Sequence, residues 1–382
     1  MDERILRERA FFHWLYNIEG IGRKTIRKLM GAVGSAERVF GMEEEKLALL
    51  LSPAQRKKLL DARKQTRIRQ GYEALRKKGI DLYPASDPMY PRRLLYIPDR
   101  PEAIYVKGTL PDENVPAVAV IGARVCSAYG AYAAQQFSSA LASAGISTIS
   151  GLARGIDGIG QRAVLEQDGR TCAVLGCGPD VCYPPENREL YEKIVRQGAV
   201  LSEYPPGTQP KAGLFPQRNR IISGLADLVL VIEAREKSGT LITVDMALEQ
   251  GKEVWAVPGR VTDELSSGCN RLIWQGASPA LSPSALLEEL RKLSRKPVET
   301  NREISTLEAH TESESDGERE DVLRRAVLNL LDFSAKSPDR LYEELKQAGI
   351  SCGLVQLMQL LVEMTLEGNC TQEGNRFRRK MS

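Results

Sequence analysis

The segment Ile146-Ser147-Thr148-Ile149-Ser150-Gly151-Leu152-Ala153-Arg154-Gly155-Ile156-Asp157 changes from a short apolar run to a loop of small residues. A helical pattern over residues 157–167 follows that loop directly. A buried strand, a glycine-containing turn and a helix in this order form the repeating unit of a parallel sheet. The segment therefore predicts an α/β fold.

The same alternation extends over residues 115–290. Helical patterns at 129–144, 157–167, 187–197 and 240–250 separate several apolar, β-rich runs. Six such runs predict strands, at Val115–Ile121, Ile146–Ile149, Cys172–Leu175, Ala199–Leu201, Leu228–Ile232 and Val254–Val257. Nearly continuous apolar strands indicate a sheet that is covered on both faces. We predict a Rossmann-like, doubly wound, mostly parallel sheet within a domain at residues 81–292.

The N-terminal part, residues 1–80, reads as a helical domain, because apolar residues recur at helical spacing. It resembles domains of the helix-hairpin-helix or SAM type. The turn Ile18–Thr25 contains two glycines followed by Arg23 and Lys24. Such a turn can contact a phosphate through backbone N–H groups at a helix N-terminus, or it can simply join two packed helices. Both readings remain open from the sequence.

The C-terminal part predicts a linker and a small domain. Residues 293–320 lose apolar periodicity and are rich in Glu, Ser and Thr, which predicts a disordered acidic linker. Residues 321–382 predict a winged-helix-like domain. Its third helix, 352–366, is apolar and acidic, so we expect it to pack or to contact protein rather than to read DNA. The basic tail at 376–380 leaves a nonspecific DNA role open.

Composition limits the possible functions. The 382 residues include 53 Lys and Arg and 50 Asp and Glu, a net charge of +3, so any nucleic-acid binding has to come from local patches. Two His and seven Cys without C-x-x-C spacing argue against a metal site or His-based catalysis, and we expect no cofactor. Cysteines of this kind, an N-terminus without an apolar core and the lack of a membrane-length apolar run predict a cytoplasmic protein.

Small and basic residues concentrate where the predicted strands end, which is where doubly wound sheets bind ligands. The first strand ends in Gly122-Ala123-Arg124, and the second leads into Ser150–Gly155. We interpret Ser150–Gly155 as a nest of free backbone N–H groups beside Arg154. The loop Ser238-Gly239-Thr240 also enters a helix, so the strand ends together predict a site for nucleotide or polynucleotide phosphates.

The run from Phe215 to Gly224 places Arg218 and Arg220 on either side of Asn219, with an aromatic ring just upstream. Guanidinium groups match phosphate oxygens, and aromatic faces stack on bases. Neither G-x-x-x-x-G-K-[ST] nor a G-x-G-x-x-G after the first strand is present, which argues against a P-loop NTPase and ordinary dinucleotide binding. The run therefore indicates a bound nucleic-acid strand.

In this order the motifs resemble the DprA (Smf) family of DNA-processing proteins. The resemblance covers roughly residues 85–285 and rests on Tyr90–Leu95, Tyr105–Gly108, Val120–Arg124, Ser150–Asp157, Ala173–Gly178, Leu201–Pro205, Phe215–Gly224, Ser238–Thr243 and Ala256–Gly259. It implies a protein without enzymatic activity that binds single-stranded DNA regardless of sequence. It also implies a homodimer, joined through the Rossmann-like domains, that protects incoming DNA during natural transformation and loads the recombinase RecA.

The strand-end chemistry and the resemblance together define the expected DNA-binding residues. These are Gly122, Arg124, Ser150, Gly151, Arg154, Gly155, Lys211, Phe215, Arg218, Asn219, Arg220, Ser238, Gly239 and Thr240. The chain departs from the family after Gly-Ile-Asp, where Gly160-Gln161 stands in place of the usual Ala-His. A role that requires this histidine is therefore missing.

A nucleotide-processing enzyme of the phosphoribohydrolase type is the alternative. The same phosphate site would then hold a mononucleotide, and Glu203 or Glu233 would have to serve as the catalytic base. Asp157 is expected to cap the helix that follows it rather than to act in catalysis.

Overall fold

The structure is a computed structural model that describes residues 3–64, 67–295 and much of 323–379. Between 323 and 379 it leaves out 325, 329, 332–335, 348–351, 353, 368–369 and 374–375. Contacts divide the chain into two units, Met1–Pro297 and Val298–Ser382. Most of the predicted acidic linker, residues 296–320, lies outside the described residues.

One sheet of nine strands forms the centre of the first unit. Its order is β1-β2-β6-β5-β4-β3-β7-β8-β9. The strands from β3 to β9 pair in parallel, whereas β2 is antiparallel to both β1 and β6. The strands are β1 Ile80–Pro84, β2 Ala103–Gly108, β3 Ala117–Ile121, β4 Ser147–Ser150, β5 Thr171–Leu175, β6 Ala199–Ser202, β7 Leu228–Val231, β8 Glu253–Ala256 and β9 Ser278–Pro279. The prediction of a mostly parallel α/β sheet is confirmed.

Helices cover both faces of this sheet. Val118 and Val120 of β3 pack under α8 on one face, and Ala119 and Ile121 belong to the core on the other face. The helices of the sheet region are α7 Arg92–Leu95, α8 Ala128–Ser143, α9 Ile156–Glu166, α10 Arg188–Gln197, α11 Leu214–Leu225, α12 Gly239–Glu249, α13 Glu264–Trp274 and α14 Pro283–Arg295. Alternating strand residues thus enter two cores, as a doubly covered sheet requires.

The N-terminal helices share a core with the antiparallel edge of the sheet. They are α1 Glu3–Tyr16, α2 Arg23–Val33, α3 Ala36–Gly41, α4 Glu44–Leu50, α5 Pro53–Lys64 and α6 Ile68–Lys77. Leu82 and Tyr105 of the edge strands are buried in the same cluster as Phe12 and Leu15 of α1. A buried ion pair of Arg9 and Asp87, 2.6 Å apart, adds a charged contact to this packing. The helices and the sheet therefore belong to one unit.

The second unit contains two described helices and a hairpin. The helices are α15 Pro338–Gln347 and α16 Leu354–Leu366, and β10 Cys370–Glu373 pairs with β11 Arg376–Arg379. Leu357, Leu361 and Met364 of α16 are buried in the core of this unit, and its Glu363 is exposed. The winged-helix assignment of this unit stays a prediction.

Within the described ranges, every helix is too short or too polar to span a lipid bilayer.

The partly buried His13 should make the stability of the fold depend on pH. Its ring lies against Tyr72 and Tyr105, and its Nδ1 accepts a hydrogen bond from Asn17 at 3.1 Å. Burial lowers the pKa of His13 to about 4. The unfolded chain, with an ordinary histidine pKa of about 6.5, therefore binds more protons between pH 4 and 6.5.

We expect the free energy of unfolding to fall by at most about 3 kcal/mol as the pH drops through this range. His13→Phe keeps a ring against the two tyrosines and removes the titrating group. Denaturant unfolding at pH 7 and pH 5 should therefore show a smaller acid loss for His13→Phe than for the native chain. Equal losses in the two proteins would assign the acid sensitivity to other groups.

Candidate nucleic-acid interface

The carboxyl ends of the parallel strands meet at one edge of the sheet, where ligands bind in such folds. Arg124 follows β3, Gly151 follows β4, Gly176 follows β5 and Glu203 follows β6. Helix α11 lies against β3, β4 and β5, and it begins at this edge. The run from Phe215 to Gly224 lies in this helix, Leu214–Leu225.

Three side chains form a cluster on this edge, which we call the arginine–aromatic cluster: Arg124, Tyr183 and Phe215. The Arg124 guanidinium carbon lies 5.7 Å from the centre of the Phe215 ring, within the range of a cation–π contact. The rings of Phe215 and Tyr183 are 5.4 Å apart and tilted by 33°. Arg124 is exposed, and its guanidinium has no hydrogen-bond or ion-pair partner among the described residues. The cluster therefore offers a cation beside aromatic surface.

Phe215 reaches this position because the end of β5 carries no side chain there. A Cβ on Gly176 would lie 2.8 Å from Cδ1 of Phe215. Lys211 is exposed four residues before Phe215, and Asn219 is half-buried one turn after it. The predicted combination of a basic residue and an aromatic ring is thus present at the start of α11.

The Ser150–Gly155 loop is not the open nest that the sequence suggested. The Gly151 N–H donates to Oδ2 of Asp157 at 3.1 Å, and the Leu152 N–H donates to Oε1 of Gln161 at 3.2 Å. Asp157 also accepts from the backbone of Ala153, and burial raises its pKa. The N-cap of α9 is Gly155, so Asp157 holds the loop from inside the first turn instead of capping the helix.

Gln161, the departure from the family pattern, has a structural explanation. It is buried, accepts from Leu152 and donates to Oγ1 of Thr171 at 3.1 Å. Its amide therefore connects the loop after β4 to β5. No titrating group is needed for either contact.

The hydroxyl groups of the predicted site also serve the scaffold. Ser150 is buried and donates to the carbonyl of Val120 at 2.7 Å. Ser238 caps α12 by accepting from the Thr240 N–H, and Thr240 donates to the carbonyl of Gly122 at 3.1 Å. Gly239, between them, is exposed. Arg154 is exposed as well, but its Nε donates to Glu186 at 2.6 Å.

Arg218 lies inside the protein, with 5% of its surface exposed. Its Nη1 donates to the carbonyls of Gly151, at 2.9 Å, and of Val174, and so it connects the ends of β4 and β5. Burial lowers the pKa of Arg218, whereas the Asp157 carboxylate opposes this shift. A buried guanidinium with carbonyl partners positions the strand ends, and it adds positive charge below Arg124.

Arg220 is also buried and forms a charge network with Glu203. Its Nη2 lies 2.8 Å from both carboxylate oxygens of Glu203. Arg23 of α2 lies 3.2 Å from Glu203 and from Asp99. Arg23, the first basic residue of the predicted hairpin turn, is therefore paired with the sheet domain.

Glu233, the other possible base of a nucleotide-processing enzyme, also has hydrogen-bond partners. It is buried and accepts hydrogen bonds from the backbone and the hydroxyl of Ser127, at the start of α8. Glu203 and Glu233 thus both have structural partners. The described residues contain no group of three metal-ligating side chains.

The structure brings Arg124 and Phe215 together as the sequence suggested, and it adds Tyr183, which sequence reasoning missed. The one signal for Tyr183 was an aromatic residue directly before Pro184-Pro185, shortly after a strand end. Arg218, Arg220, Ser150 and Gly151 lie beneath this surface instead of on it.

Known proteins that are similar to this chain fall in one family. Residues 81–291 match the family described as DNA recombination-mediator protein A. A Synechocystis protein named Smf is 40% identical over 237 residues, which make up 61% of this chain and 60% of that protein. DNA processing protein DprA of Streptococcus pneumoniae is 44% identical over 203 residues, 53% of this chain and 72% of that protein.

A solved structure supports the same relationship. The X-ray structure of DNA processing protein A from Streptococcus pneumoniae superimposes with a TM-score of 0.63 at 34% identity, covering 73% of this chain and 97% of that one.

Proposed function

The chain belongs to the DNA recombination-mediator protein A family, and from this premise we propose that it binds single-stranded DNA without sequence preference at the arginine–aromatic cluster. Unpaired bases expose π-faces that stack on aromatic side chains, while phosphates attract cations. The observation that carries the proposal is the exposed guanidinium of Arg124 over the ring of Phe215.

We further propose the biological role that the family resemblance implies. The protein protects incoming DNA during natural transformation, loads RecA onto it and acts as a homodimer through its sheet domain, in the cytoplasm. The family description as a recombination mediator supports a binding role over an enzymatic one. The structural partners of Glu203 and Glu233 also weaken the nucleotide-processing alternative, which needs one of them as a free base.

Within the proposed site the residues divide into two groups. Arg124, Lys211, Phe215, Asn219 and Gly239 are exposed or half-buried and are proposed to contact the strand. The remaining predicted residues, Gly122, Ser150, Gly151, Arg154, Gly155, Arg218, Arg220, Ser238 and Thr240, are proposed to hold those contacts in place, mainly through backbone and carboxylate partners.

Arg124→Ala is expected to weaken binding of oligo-dT by roughly tenfold to a hundredfold, because a hydrogen bond to a charged group contributes about 1.5–3 kcal/mol. The slope of log K against log salt should also become shallower by about 0.7, the value for one phosphate contact on a single strand. Fluorescence anisotropy across a salt series measures both quantities.

Arg196→Ala provides a matched control. Arg196 is an exposed arginine in the last turn of α10, just before β6 begins and hence at the opposite edge of the sheet. Its loss changes net charge equally and should leave affinity and slope close to those of the native chain. If the two variants behave alike, the site is not at Arg124.

A further inference from the structure

Tyr183 is an exposed aromatic residue next to Phe215. Its side chain keeps 39% of its surface accessible, and its hydroxyl has no hydrogen-bond partner among the described residues. Its ring nevertheless lies 5.4 Å from the ring of Phe215 and is tilted by 33° from it, within the distance range of aromatic pairs. A solvated ring beside a second ring offers apolar area to a flat partner.

The loop that carries Tyr183 is fixed at both ends. Before it, Asp180 accepts from the Gly207 N–H at 2.7 Å, and Tyr191 donates to the carbonyl of Pro179. After it, Asn187 donates to the carbonyls of Leu152 and Ala153 at 3.0 and 3.2 Å. Contacts with the loops after β4 and β6 therefore fix the segment that carries the ring before any ligand arrives, which lowers the entropy lost on binding.

We infer that Tyr183 is a base-stacking residue, and that with Phe215 it forms a two-ring platform on which the chain receives unpaired bases. The inference rests on the proposed function, since it assigns a further residue and a selectivity to the same site. Arg124 supplies attraction to phosphate, which single and double strands share. Bases inside a duplex are stacked on each other and do not present their faces, so the platform selects single strands.

The base contact of Tyr183 and the phosphate contact of Arg124 should therefore differ in their dependence on salt. A stacking contact contributes about 1–3 kcal/mol per base and releases no counterions. Tyr183→Leu should therefore weaken binding of an oligo-dT of roughly 15 nucleotides by about tenfold or more while leaving the salt slope unchanged. Binding of a duplex of the same length should stay the same, so the preference for single strands falls by the same factor.

Two controls bracket this variant. Tyr183→Phe keeps the ring and should retain native affinity. Tyr96→Leu removes an exposed tyrosine next to α7, whose Arg93 pairs with Asp227 before β7, at the opposite edge of the sheet. Tyr96→Leu should not change binding at all. Circular dichroism and denaturant unfolding check that each variant is folded.

A measurement on the native chain keeps the inference testable if Tyr183→Leu does not fold. Ultraviolet crosslinking to an oligonucleotide containing 5-bromouracil, followed by peptide mapping, should identify the peptide that contains Tyr183. A crosslink confined to other peptides would contradict the inference.

The remaining outcomes separate the inference from the proposed function. Native affinity in Tyr183→Leu together with a loss in Arg124→Ala would remove Tyr183 from the site and leave the proposed function intact. A shallower salt slope in Tyr183→Leu would mean that the tyrosine only positions Arg124, and the stacking role would be wrong. Absence of single-strand binding by the native chain would overturn both.

Discussion

Replacing Glu203 by alanine is expected to reduce the free energy of unfolding by about 3–5 kcal/mol, because it leaves a buried charge without its partner. Glu203 is 3% exposed, and both of its carboxylate oxygens lie 2.8 Å from Nη2 of Arg220. Arg220 is itself buried, and within the described part of the chain Asp99, whose side chain is 58% exposed, is the one other carboxylate that pairs with it. An exposed carboxylate interacts only weakly with a guanidinium because water screens the pair, so Asp99 does not replace Glu203.

The same substitution is expected to weaken DNA binding. Glu203 joins three elements: β6, which it follows, α11 through Arg220, and α2 through Arg23. Because Phe215 lies on the first turn of α11, a shift of this helix displaces the proposed DNA contact. Denaturant unfolding and oligo-dT anisotropy, measured on one preparation, follow both effects.

Glu186→Ala is the matched control for Glu203→Ala. Glu186 also pairs with an arginine, Arg154, but both side chains are more than half exposed. Solvated pairs of this kind contribute little to stability, so Glu186→Ala should not change unfolding measurably. If Glu203→Ala lowers the free energy of unfolding by less than about 1 kcal/mol, the charge network does not stabilise the fold. The effects of Arg220→Ala and Glu203→Ala should then add in the double variant, whereas the effects of coupled residues deviate from additivity.

The sheet was predictable because its strands are buried on both faces. Runs such as Leu228–Ile232 must be nearly all apolar, and helical patterns separate several of them, so local sequence and global fold agree. The edge strands β1 and β2 were not predicted. They pair antiparallel and share their core with the N-terminal helices, and this distant packing leaves no periodic signal of its own.

Helix α11 shows why the candidate site was predictable only in part. Its first turn contains Phe215-Pro216 and leads into charged and amide residues, a composition typical of a loop. Proline is tolerated in the first turn of a helix, and the buried partners of Arg218 and Arg220 replace the apolar residues expected on an inner face. Residue type identified the cations, but only the fold shows which of them reach the surface.

Gly155→Ala is expected to destabilise the protein by at least about 3 kcal/mol, because two penalties add. Gly155 has φ of +67°, a conformation that residues with a Cβ rarely adopt. A Cβ there would also lie 2.3 Å from the carbonyl oxygen of Ala123 and 2.6 Å from that of Arg124. These are backbone atoms, so no side-chain rotation relieves the contact, and the end of β3 has to move with Arg124. Oligo-dT affinity should fall together with stability.

Gly251→Ala is the control for a positive φ without a steric contact. Gly251 has nearly the same φ, +68°, but a Cβ there would meet nothing within 4 Å. Only the backbone strain remains, about 1–2 kcal/mol, and DNA binding should be unaffected. The difference between the variants in denaturant unfolding measures the close approach of the loop after β4 to the end of β3 together with the extra strain of Gly155, whose ψ of −130° lies outside the left-handed helical region. If both glycines tolerate alanine equally, that approach does not constrain the loop, and Gly155 would not help to position Arg124.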